Sequence, residues 1–128
     1  MDSSKLRQRL LRLDKERRNL ISEVLRPLPM IIGSLYEIRR RCGRPRCRCT
    51  RGELHASWYL SRRLGERTKL SYIGRLIPDW VQEQVIRYQR YQKTLSLIRK
   101  IDAEVSDGLK RLRDEKLRDY DRVKKQRS

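Results

Sequence analysis

The chain has 128 residues, a net charge of +18, 39% charged residues and 37% hydrophobic ones. No apolar run approaches the roughly 18 residues that a membrane span needs, and Met1-Asp2-Ser3-Ser4-Lys5-Leu6-Arg7 lacks the apolar stretch of a secretory signal. Three cysteines, an odd number, argue against a closed disulfide framework and for a reducing, cytoplasmic setting.

The pattern divides into residues 1–33, 34–77 and 78–128. The first segment predicts an amphipathic helix capped by Ser3 or Ser4 and followed by a proline-rich linker. Leu6, Leu10, Leu13, Leu20 and Val24 make a heptad stripe, with Arg17 in the missing position. Pro27 and Pro29 end the helix because proline cannot continue the hydrogen-bond ladder. Such a stripe serves equally to pack on its own domain or to form a coil with another chain.

The second segment predicts three antiparallel strands. These are Leu35 to Arg39, Ala56 to Arg63, and Lys69 to Ile73, with Leu64-Gly65-Glu66-Arg67 as the turn between the last two. The cysteine loop joins the first two. Trp58 and Tyr59 point to opposite faces of their strand. One is expected under the C-terminal helix and the other free to stack on a base or a ribose; the alternative, favoured for Trp58 by the shortage of aromatics, is that both are core. The third segment predicts a long helix opened by Pro78 and Asp79. Val81, Val85, Tyr88 and Leu95 share a face, with Gln92 inside the stripe, and Ile98, Ile101, Val105 and Leu112 continue it. Ser106-Asp107-Gly108 is a candidate break, since glycine costs about 1 kcal/mol against alanine in a helix. The expected fold class is therefore α+β: a small three-stranded sheet with a metal loop between two helical segments.

One constellation carries chemistry. Cys42, Cys47, Cys49 and His55 make a C-x4-C-x-C-x5-H pattern that uses every cysteine and the only histidine. Three thiolates and an imidazole are a ligand set for tetrahedral structural zinc. Gly43, Pro45 and Gly52 lie between the ligands, where the backbone must turn. A Cys3His site leaves no position for water, and the histidine that would serve as a general base is spent on the metal. Glu37, Glu53 and Glu66 form no acid/base pair, so the chain is expected not to be an enzyme.

These residues carry a resemblance. Gly33-Ser34, the run Cys42-Gly43-Arg44-Pro45-Arg46-Cys47-Arg48-Cys49, then Gly52 and His55, resemble a family of small bacterial and archaeal proteins of unknown function. Its core has the form C-G-x-P-x-C-x-C-x-x-G-x-x-H-G-P, followed by an aromatic strand and a helix. The resemblance covers residues 33–100, with Ala56-Ser57 where the family pattern has Gly-Pro. It implies a metal site and a setting near mobile elements or phage.

Residues 34–75 hold a net charge of +9, half of the total. Arg39, Arg40, Arg41, Arg44, Arg46, Arg48 and Arg51 surround the ligands, and Arg62, Arg63, Arg67 and Lys69 follow on the hairpin. Arginine's planar fork of donors suits phosphate and guanine edges. The leading expectation is a zinc-stabilised DNA-binding regulator or accessory factor, a homodimer through its helices, working beside a transposase or recombinase and away from membranes. An RNA-binding accessory protein uses the same surface. A helical protein–protein adaptor, with a purely structural zinc module, stands as the reading from another class.

Overall fold

The structure is a computed structural model that describes residues 3–52 and 54–128, apart from the side chain of Cys49. In chain order it comprises helix α1 (Ser3–Val24), strand β1 (Ser34–Arg40), a 3-10 turn (Arg48–Arg51), strands β2 (His55–Leu64) and β3 (Arg67–Gly74), and helices α2 (Asp79–Lys116) and α3 (Tyr120–Arg127). The class is α+β, as the alternation of periods in the sequence predicts. No described helix is long and apolar enough to cross a membrane.

The chain forms two compact units, residues 27–92 and residues 1–26 with 93–128. In the first, β2 is central and pairs antiparallel with both neighbours in the order β1-β2-β3. A two-residue turn, Gly65-Glu66, joins β2 to β3, while β1 reaches β2 through the cysteine loop. The linker after α1 lies along the start of α2, where Ile31 N–H donates to the Gln84 carbonyl at 3.0 Å and Arg87 donates to the Pro29 carbonyl at 3.4 Å. Val81 and Val85, one helical turn apart on α2, are the buried hydrophobic residues of this unit.

In the second unit α1 runs antiparallel to the later part of α2. Leu6 and Ile101 are its buried apolar residues. On α2, Thr94, Ile101 and Gly108 are all buried and recur every seven residues, which keeps one face turned to α1. The expected stripe on α2 is otherwise half-buried at Tyr88, Leu95, Ile98, Val105 and Leu112. Gln92 within it is exposed and donates to the Tyr88 hydroxyl at 2.8 Å.

Where the α1 stripe lacks an apolar residue, Arg17 pairs with Asp102, and Arg9 reaches Glu104 at 3.8 Å. The helix runs unbroken through Ser106-Asp107-Gly108. Gly108 serves there as a gap: a Cβ on it would stand 2.6 Å from Leu10 Cδ2. The helical stretch stops instead after Lys116, and Asp119 caps α3 by accepting from Arg122 N–H at 2.9 Å.

Candidate metal centre and basic sheet

Arg40 and His55 are register partners, so the loop between β1 and β2 leaves and re-enters the sheet at adjacent positions. That geometry brings Cys42, two residues beyond Arg40, close to His55. The loop then folds back on itself. Cys47 N–H donates to the Arg44 carbonyl at 3.2 Å, and the Cys47 carbonyl accepts from Thr50 N–H at 3.1 Å and from the Thr50 hydroxyl at 2.7 Å. Gly43 and Gly52 take φ of +78° and +103°, a region in which a side chain would be strained.

The ligand atoms of Cys42, Cys47 and His55 all lie within 4.8 Å of one another, and Cys47 Sγ stands 3.0 Å from His55 Nε2. Cys42 is exposed, the other two are half-buried, and neither thiol is in a disulfide. A tetrahedral ion at ordinary bond lengths holds such atoms about 3.5–3.8 Å apart, inside the 4.8 Å limit and wider than the present Cys47–His55 approach, so binding would part that pair by about half an ångström. These three residues are therefore positioned to bind a metal ion. The fourth residue of the set, Cys49, has its side chain outside the described residues.

The basic residues do not share one surface. Arg41, Arg44, Arg46, Arg48 and Arg51 are exposed on the loop that holds the ligands. On the strands the register sorts the others into two faces. Arg39, Arg62, Arg67 and Lys69 lie on the face of Trp58 and Leu60. There Arg39 bonds Glu37 at 2.6 Å, and Arg62, half-buried, reaches the Ser71 hydroxyl at 3.3 Å. Arg40 and Arg63 lie on the face of Tyr59. The Arg40 guanidinium sits 5.9 Å from the Tyr59 ring centroid, and Arg63 Nε donates to the Gly65 carbonyl at 3.3 Å. Arg39, Arg62 and Arg63 are thus partly engaged within the sheet, while the loop arginines project to solvent.

Trp58 and Tyr59 do face opposite ways. Beside Trp58, Leu35 and Leu60 are half-buried; beside Tyr59, Ile38 is half-buried too, while Tyr36 is 54% exposed and Tyr72 64%. Tyr36 and Tyr72 are the register partners of Tyr59 on its two neighbouring strands, so three tyrosines stand in a row. The Tyr59 and Tyr72 ring centroids are 5.5 Å apart at 70°. The sequence marks Trp58 and Tyr59, one of them free to stack, but neither Tyr36 nor Tyr72. The row depends on strand register, including the irregularity at Trp58/Tyr59, which no local pattern announces.

Neither the curated proteins nor the solved structures contain a match to this chain. A family match does cover residues 4–83, from α1 through the sheet and metal loop into the first turns of α2. It begins earlier and ends earlier than residues 33–100, over which the resemblance runs. The chain thus belongs to the family described as domain of unknown function DUF6788.

Proposed function

We propose that this chain is a basic nucleic-acid-binding protein whose working loop is held by a structural zinc ion on Cys42, Cys47, Cys49 and His55. The observation that carries the reading is the overlap of two features in one short loop. The residues positioned for a metal are interleaved with exposed arginines: Arg44 and Arg46 lie between Cys42 and Cys47, and Arg48 and Arg51 between Cys47 and His55. Arginine loses side-chain entropy when it grips phosphate. Anchoring the backbone that bears it lowers the cost of ordering the loop. Zinc is the metal that suits soft thiolates with one imidazole.

The partner is DNA in this reading. The chain acts as a regulator or accessory factor of a mobile element or phage, in the cytoplasm, as a homodimer and beside a transposase or recombinase. The mobile-element setting rests on the resemblance of the cysteine core, and the cytoplasmic setting on the thiols and on the lack of a spanning helix among the described residues. Catalysis forms no part of the proposal.

The test combines metal analysis with binding at several salt concentrations. One zinc per chain, and an affinity for duplex DNA that falls steeply as salt rises, are the expected results. Zinc-free protein that keeps its fold, or binding indifferent to salt, overturns the reading.

A further inference from the structure

We infer that the exposed tyrosine row of the sheet, Tyr36, Tyr59 and Tyr72, is a stacking platform for single-stranded DNA. This rests on the nucleic-acid reading above and names the form of polymer that the sheet engages, apart from the metal loop.

Three observations carry it. First, the rings stand side by side on adjacent strands. Neighbouring strands are about 4.8 Å apart, so the row spans roughly 10 Å. The two outer rings are more than half exposed, and Tyr59 meets Tyr72 edge-on at 5.5 Å. Second, the charge around them is positive. Arg40 lies 5.9 Å from the Tyr59 ring centroid, while Arg63 sits farther along that face, where Ser34, Ser61 and Thr68 meet Tyr88, Gln89 and Gln92 of α2. No Asp or Glu lies among the strand residues on this face: Glu37 projects to the other side, where Arg39 holds it. Third, exposed tyrosine rings offer a base a π-face as well as a hydroxyl. Bases in a duplex hide their faces by stacking on one another and display only edges in the grooves. An unpaired strand exposes its base faces, and aromatic side chains beside a basic groove are how such strands are held. A second copy of this chain is a poor occupant, since facing sheets would set Arg40 and Arg63 against their own counterparts.

The experiment uses the full chain and fluorescence anisotropy with labelled oligothymidine, a duplex of equal length, and oligouridine, all at one salt concentration. Oligothymidine is expected to bind more tightly than the duplex and to quench tyrosine emission. The pair Tyr36→Leu and Tyr72→Leu is expected to lower single-strand affinity by about ten- to a hundredfold. The pair Tyr36→Phe and Tyr72→Phe is expected to retain it. Duplex affinity and its salt dependence should stay as they were. Both sites are exposed, so an unchanged thermal melt is the expected check on folding. Leucine variants that bind oligothymidine normally, or phenylalanine variants that lose as much as leucine ones, overturn the platform. So does binding of duplex without single strand, although the nucleic-acid function would then stand. Tighter binding of oligouridine overturns the assignment to DNA. A wild-type protein that binds none of the three overturns both readings together.

Discussion

Cys47 Sγ and His55 Nε2 approach to 3.0 Å at the mouth of a hairpin crowded with arginine. An ion between them and Cys42 would join the loop to the first residue of β2. Removing one ligand therefore removes binding energy that is also folding energy. Cys47→Ser is expected to lose the zinc and to lower the melting temperature of the hairpin. Metal analysis beside a thermal melt checks it, and a zinc-loaded variant with an unchanged melt would contradict the site. The loop arginines make a different prediction. Changing Arg44, Arg46 and Arg48 together to Ala should leave zinc content intact while lowering the slope of log affinity against log salt by about three, one for each phosphate no longer neutralised. An unchanged slope would move the nucleic-acid surface elsewhere. The Arg17–Asp102 pair is exposed on both sides, so Arg17→Ala should cost at most about 1 kcal/mol.

Along α1 and α2, the helices approach closely where side chains are small. Gly108 faces Leu10, and the missing methyl is what lets the leucine in. Helix propensity alone predicts that Gly108→Ala stabilises α2 by about 1 kcal/mol. The tight approach predicts the reverse, with overpacking costing roughly 1–3 kcal/mol. The atom met is the far end of the Leu10 side chain, so the two effects nearly cancel: Gly108→Ala is expected to shift the melting temperature little by itself and to be more stabilising once Leu10→Ala has removed the contact. A double-mutant cycle by denaturant unfolding measures that coupling, and strict additivity would rule out the packing of Leu10 on Gly108. Leu6 is 2% exposed, so Leu6→Ala should cost about 2–4 kcal/mol.

Among the described residues few side chains are fully buried, so each unit leans on particular anchors: a helix pair in one, and a sheet with its candidate metal loop in the other. Chelation is expected to melt the hairpin while much of the helical far-UV signal of α1 and the later α2 persists. Circular dichroism before and after a chelator reads this directly. Helices, strands and turns were legible in residue order because periodicity and turn chemistry are local. Prolines end α1, alternation marks the strands, and Gly65-Glu66 closes the second hairpin. Three members of the candidate ligand set, Cys42, Cys47 and His55, were legible too, since they crowd into residues 42–55. Their convergence was not, because it needs the pairing of Arg40 with His55, residues held far apart in sequence by the loop. Register likewise split the arginines between two faces and drew Tyr36, Tyr59 and Tyr72 into a row. It also took the approach of Leu10 to turn Gly108 from an apparent helix breaker into a packing gap. Local preference is written residue by residue, whereas pairing between distant segments emerges only when the chain has closed on itself.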